Sequence, residues 1–212
     1  RQSRHGLQSA SQATPRSSYT QNVEEHGQVR EERLDPEREA RRRLALAQIR
    51  QYPDPVLRMR ANEVESFDDD LRRLVARMTQ LMRDANGVGL AGTQVGTLQR
   101  VFVIQPDPEE EPRAIVNPQI VTQSEETATE DEGCLSLQGV SIPVERRLNV
   151  TVEGKDESGT DVSLELEGHP ARVAQHELDH LDGILIIDRT TPEARREALG
   201  ILRPEPILGP IS

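Results

Sequence analysis

At 212 residues the chain suits one domain with tails, and its formal charge of −11 argues against a nucleic-acid-binding surface on the folded part. Lys155 is the single lysine, so the basic charge is arginine, which does not titrate usefully, and lysine nucleophiles or Schiff bases are all but excluded. No run reaches the roughly 18 apolar residues of a membrane span, and the lone Cys134 excludes an internal disulfide and points to a reducing, cytoplasmic setting.

The first residues lack the apolar stretch of a signal peptide, and with Arg1 in first place a trimmed or partial product is one reading. Residues 1–43 are rich in Gln, Ser, Arg and Glu and poor in bulky apolar groups. Such a segment cannot bury enough surface to offset its chain entropy, so a disordered polar extension is expected, with any helix confined to its end. His5 and His26 lie there and are set aside as ligands. From Leu44 to Phe67 an extended approach is expected, because Pro53 and Pro55 bar a long helix. An amphipathic helix follows in DDDLRRLVARMTQLMRDANG, with Leu71, Leu74, Val75, Met78, Leu81 and Met82 on one face. Asp68 to Asp70 mark its start and Asn86-Gly87 its stop.

The next segment, GVGLAG, spells G-x-G-x-x-G. A dinucleotide loop needs a strand before its first glycine and a helix beginning inside the motif. Here a helix precedes and a strand follows, so the glycines are read instead as permitting a tight path or close approach of another group. RVFVIQ (100–105) reads as a buried strand, closed by Pro106-Asp107-Pro108 and a solvated acidic loop. AIVNPQIV, RLNVTVEG and TDVSLELEG read as further strands, with a hairpin turn at Lys155–Gly159. A second helix is expected from His169 through Leu181, ending at Asp182-Gly183, then a strand in ILIID and a polar tail. Strands segregated from two helices, without regular alternation, point to α+β: short antiparallel or mixed sheets around the second helix.

The sharpest chemical signal is QHELDH (175–180). Four helical residues advance about 6 Å and return to the same face, so His176 and His180 are able to share one ion. Glu177 projects beside them, as in the H-E-x-x-H pattern of hydrolytic zinc sites; the plain alternative is a surface helix with two histidines. A catalytic metal needs a third protein ligand. No histidine follows His180, which leaves Asp182 and Asp188 downstream and the thiol of EGCLS (132–136) upstream. A lone cysteine is ordinarily a small buried apolar residue, and a cysteine nucleophile paired with histidine is another reading. One cysteine, two histidines four apart and a glutamate that a cysteine hydrolase would not need favour a thiolate–imidazole site suited to Fe(II) or Zn(II).

GVGLAGTQ, EGCLS and QHELDH, in this order and roughly 40 residues apart, resemble the three signature motifs of peptide deformylases. The resemblance spans about Leu44 to Arg189, including NPQI (117–120), and so implies a catalytic domain over 44–189 followed by a tail over 190–212. It implies that Cys134, His176 and His180 hold one divalent ion, usually Fe2+, with Zn2+, Ni2+ and Co2+ also accepted. Glu177 becomes the general base and acid, and Gln94 and the backbone N–H of Leu135 the oxyanion donors. Gly89 would lie against the substrate, with Val88, Val173 and the stem of Arg172 as candidates for the pocket taking the methionine side chain, or else plain core. The implied substrates are N-formyl-methionyl nascent peptides, with no DNA or membrane partner.

Two departures bear on substrate preference. Gly92 stands where alanine is commonest, which is expected to loosen the loop, and LSLQG lacks the proline of the usual LS-x-P-G. The tail TTPEARREALGIL has two readings: a ribosome-docking helix using Arg189, Arg195, Arg196 and Arg203, or a solvated helix, which is favoured. Three rival functions are a zincin-like peptidase, a deformylase of another N-formyl compound and a non-enzymatic binding relative.

Overall fold

The computed structural model describes residues 35–202, together with the backbone of 25–26 and 29–30. Expectations for His5, for most of the polar extension and for Arg203 lie outside the described residues. Two short strands, β1 (Glu25–His26) and β2 (Val29–Arg30), pair antiparallel. Helix α1 (Pro36–Leu46) forms at the end of the polar extension, where the sequence allows a helix, and runs across the expected boundary at residue 43. Asp35 caps it by accepting from Arg38 N at 2.8 Å, Pro36 opens the first turn, and Glu37 and Glu39 face its dipole. Its C-terminal half is anchored: Arg42 Nε donates to Ala85 O at 3.4 Å, and Ala45 and Leu46, with Ile49 just beyond, are buried in the same cluster as the next helix.

Helix α2 (Asp69–Asp84) buries Leu71, Val75, Met78, Leu81 and Met82, with Leu74 partly covered, on the face that the periodicity identifies. Asp68 accepts from Asp70 N and Leu71 N. The helix closes with Gly87 N donating to Met82 O at 2.8 Å, while Asn86 takes a left-handed φ of 57°. The segment between the two helices is not simply extended: Pro55–Arg58 forms a 3-10 turn that buries Leu57.

The strands continue as β3 (Gly89–Ala91), β4 (Val101–Ile104), β5 (Arg113–Gln123), β6 (Thr127–Gly133), β7 (Ser141–Arg147), β8 (Asn149–Lys155) and β9 (Asp161–Glu167). A five-stranded antiparallel sheet has the order β3-β4-β5-β8-β9, and β6 pairs with β7 as a separate hairpin. The β8–β9 turn is held by Asp156, whose Oδ1 accepts from Ser158 N and Thr160 N, with Gly159 at φ 88°.

Helix α3 (His169–Leu181) is buried at every residue from Ala171 to Leu181, as befits an element packed on all sides. β4 shows why. Val101 and Val103 join the cluster under α2, whereas Phe102 and Ile104 join the cluster under α3, so the β3–β4 edge is sandwiched between the helices. After α3, Gly183 turns the chain at φ 74°, where a Cβ would lie 2.6 Å from Arg58 O. The apolar run after it is not the expected strand: Ile186–Asp188 is a 3-10 turn, with Asp188 accepting from Leu185 N at 2.9 Å. Leu185, Ile186 and Ile187 are buried against the β7 side chains Ile142 and Val144, and helix α4 (Pro192–Ile201) adds Ala198 to that cluster. Among the described residues, no helix is long and apolar enough to cross a membrane.

Candidate metal centre

The α3 register, the β6 end and the turn after β3 converge on one buried point. Cys134, His176 and His180 offer ligand atoms that all lie within 4.8 Å of one another, and each residue is at most 3 % exposed. Cys134 Sγ is 3.2 Å from His180 Nε2, and the two imidazole rings stand 5.0 Å apart at 61°. Metal–sulfur and metal–nitrogen bonds of about 2.3 and 2.0 Å at a tetrahedral angle would separate sulfur from nitrogen by about 3.5 Å. His176 Nε2 is likewise buried without a hydrogen-bond partner in the structure. Orphaned buried polar atoms are costly, so the donor set fits a bound cation. Asp182 and Asp188, the alternative third ligands, are engaged elsewhere: Asp182 accepts from Arg100 at 2.8 Å, and Asp188 pairs with Arg58.

Electrostatics agree with that fit. Burial pushes the Cys134 thiol far above its ordinary range, against the lowering effect of Ser136 N, so the sulfur becomes a thiolate only beside a cation. Burial, then repulsion from the neighbouring His176 ring and Arg146, hold His180 well below the usual imidazole range, in the neutral form that a metal ligand needs.

His176 is oriented from behind. Its Nδ1 meets Glu132 Oε2 at 2.9 Å, which fixes the tautomer and leaves Nε2 as the lone-pair nitrogen. Burial alone would raise the Glu132 pKa, but hydrogen bonds from His176 and Arg146 outweigh it and keep the carboxyl well below the usual range. Arg146 Nε and Nη2 bond the two Glu132 oxygens at 2.9 and 3.0 Å, and Arg172 Nη1 adds a third contact at 2.8 Å. Arg146 continues to Asp179 at 2.5 Å, and Asp179 to Arg189 at 2.7 Å. Gln175 pins the helix to β7, accepting from Arg147 N and donating to Arg147 O.

The remaining predicted residues take definite places. Glu177 is fully buried, and a Cβ built on Gly89 would fall 2.2 Å from Glu177 Oε1, so the glycine gives the carboxylate its room. Gln94, in the turn Gly92–Val95, accepts from Ala91 N at 2.9 Å. That bond directs its amide nitrogen to Ser136 Oγ at 3.1 Å, with Cys134 Sγ at 3.7 Å. Leu135 is buried in the α2 cluster, and Val88 and Val173 in the α3 cluster. The Arg172 guanidinium is given to Glu132, Glu130 and the carbonyls of Val144 and Ala128. Gly92 sits where a side chain has no room: a Cβ there would lie 2.6 Å from Gln99 O.

The sequence profile described as polypeptide deformylase matches residues 46–196. The chain belongs to that family. The peptide deformylase of Desulforudis audaxviator is 45% identical over 154 residues, covering 73% of this chain and 99% of its own length. That of Thermotoga neapolitana is 48% identical over 147 residues, covering 69% and 88%. Among solved structures, peptide deformylase 1B of Arabidopsis thaliana, in complex with an inhibitor, superposes with a TM-score of 0.70 at 37% identity, covering 73% of this chain and 87% of that one. The Thermotoga maritima peptide deformylase gives 0.65 at 45% identity, covering 68% and 97%.

The sequence reading missed Glu132, Ser136, Arg146 and Asp179. Glu132 and Ser136 flank the single cysteine and were within reach as its neighbours. Asp179 lies inside QHELDH, three residues after His176 and so on a neighbouring helical face. Arg146 had no local signal.

Proposed function

We infer that the chain is a metal-dependent hydrolase that removes the N-formyl group from newly made polypeptides and releases formate. The observation that carries the reading is a buried Cys–His–His donor set with Glu177 at its side, in a chain of the deformylase family. In this reading Cys134, His176 and His180 hold one divalent ion, Fe2+ first, with Zn2+, Ni2+ or Co2+ as other occupants. When bound, the ion lowers the pKa of a coordinated water toward about 7 and polarises the formyl oxygen. Glu177 takes a proton from the attacking water and returns it to the amine nitrogen as the carbon–nitrogen bond breaks. Its burial keeps bulk water from competing for that proton. Gln94 Nε2 and the Leu135 N–H serve the developing oxyanion, worth roughly 3–4 kcal/mol per donor. The Ala91 N–H supports the Gln94 role, because it occupies the amide oxygen and leaves the nitrogen as the donor toward the site.

Gly89 is assigned to the backbone that meets the peptide, and Val88, Val173 and the Arg172 stem to the methionine pocket. A thiol that must stay reduced suits a cytoplasmic setting. For the C-terminal helix the docked, solvated reading is favoured over ribosome contact. Arg189, Arg195 and Arg196 pair with Asp179, Asp188 and Glu193 respectively, and Ala198 is buried.

Anaerobic purification, elemental analysis and formate release from formyl-Met-Ala test the whole reading. Wild type is expected to carry one ion per chain and to turn over. Glu177→Ala is expected to keep the ion and lose nearly all turnover; an unchanged rate removes the base from Glu177. Preference for formyl-Met-Ala over formyl-Ala-Ala separates this substrate from other N-formyl compounds.

A further inference from the structure

Three consecutive residues between helices α1 and α2 bond three carbonyls of two separate site segments. Arg50 N donates to Gln94 O at 2.7 Å, Gln51 Nε2 to Leu135 O at 3.0 Å, and Tyr52 N to Ser136 O at 2.9 Å. The segments concerned, the Gly92–Val95 turn and the chain after Cys134, are the two that carry the oxyanion donors. We infer that Gln51 is a positioning residue for those donors, an inference that rests on the reading of the site given above.

The strap is itself well seated. Ile49 is buried in the α2 cluster, and the Arg50 guanidinium lies against Gly96, where a Cβ would come 2.8 Å from Arg50 Nε. Gln51 Nε2 also donates to Ile49 O at 3.2 Å, so one amide ties the strap to itself and to the site. Of the three bonds to the site, the outer two are backbone and survive almost any substitution. The middle one depends on a side chain. It holds the carbonyl of the peptide that joins Leu135 to Ser136, between the assigned N–H donor and the hydroxyl that receives Gln94 Nε2. Without that tether the peptide plane can rotate, and both donors drift from one another while Cys134 keeps its place just after β6. Oxyanion contacts strengthen only as the tetrahedral geometry forms, so the loss falls on kcat and leaves KM.

The test uses the full metal-loaded chain with formyl-Met-Ala, measuring formate release, metal content and thermal melting for Gln51→Met and Gln51→Asn. Methionine keeps the length and loses the donor; asparagine keeps the amide and loses the reach. Both are expected to lower kcat by about tenfold or more, as small misplacements at a site do, with KM within about twofold. Metal content should stay at the wild-type value and melting should fall by no more than a few degrees. An unchanged kcat in either soluble variant overturns the inference, as does a loss that tracks metal loss or melting, which would mark Gln51 as merely structural. If Gln51→Met fails to fold, Gln51→Asn decides alone. Absence of formate release by the metal-loaded wild type would instead overturn the functional reading beneath it.

Discussion

Glu132→Gln is the perturbation that interrogates the site most directly. The carboxylate accepts four bonds, two from Arg146, one from Arg172 and one meeting His176 Nδ1, while its side chain is 1 % exposed. Glutamine has the same shape but one oxygen and one NH2. If the nitrogen takes the Oε1 side, it faces Arg146 Nε and Arg172 Nη1, donor against donor. On the Oε2 side it faces Arg146 Nη2 and His176 Nδ1, and relieving the latter requires the imidazole proton to move to Nε2, the ligating nitrogen. Breaking one partner of a buried ion pair costs about 3–5 kcal/mol. The lower end applies, since Arg146 keeps Asp179 at 2.5 Å and Arg172 keeps Glu130 at 3.2 Å. At about 2–4 °C per kcal/mol for a chain of this size, melting should fall by about 6–12 °C. Metal affinity, measured by chelator competition, should fall by roughly 10–100-fold, as for other groups that orient a ligating histidine. A variant that melts within about 2 °C of wild type and holds its ion within about twofold would refute the assignment of Glu132 as the support of His176.

Gly89→Ala places a methyl 2.2 Å from Glu177 Oε1, so the carboxylate must move, and kcat is expected to fall at least about tenfold with the ion retained; unchanged turnover would show that the carboxylate has other room. Cys134→Ser should abolish stoichiometric metal in elemental analysis, whereas Asp182→Asn and Asp188→Asn should not, and the opposite pattern would restore a zincin-like site. Burial raises the Asp188 carboxyl, but the Arg58 hydrogen bond and Leu185 N–H outweigh it and hold its pKa below the ordinary range. A folded pKa that is depressed gives stability present above the unfolded value of about 3.9 and lost as pH falls through the folded value. The melting difference between wild type and Asp188→Asn should therefore shrink on acidification below about pH 4, and a constant difference from pH 7 to pH 3 would contradict it.

Much of the fold was legible because hydrophobic periodicity reported burial faithfully. The α2 face, the doubly buried β4 and the β8–β9 hairpin all declare themselves by spacing and by Asp, Asn and Gly at their ends. Failures came where an apolar run lacked a partner. ILIID has strand composition, yet after Gly183 it joins no sheet among the described residues and packs as a tight turn against β7 and α4. A short run of that kind looks the same in sequence whether it ends in a ladder or in a buried corner. At α1 only the position of a helix was legible, not its extent: a polar helix with one buried turn resembles a disordered segment in composition, because Ala45, Leu46 and Ile49 are too few to raise its mean hydropathy.

The site divides along the same physical line. Cys134, His176 and His180 stood out because rare residue types at a helical spacing are unlikely to coincide by chance. The groups that hold them are common residues made uncommon by burial. TATEDEG carries three acids and no local sign of burial, but Glu132 faces inward on β6 and is neutralised by Arg146 from β7 and Arg172 from α3. Those partners sit 14 and 40 positions away, beyond any local pattern. A carboxylate is admitted to an interior only when cations meet it there. The buried charge of Glu132 is therefore a property of three chain segments at once, and its strand could be assigned only after the helix that carries the histidines was in place.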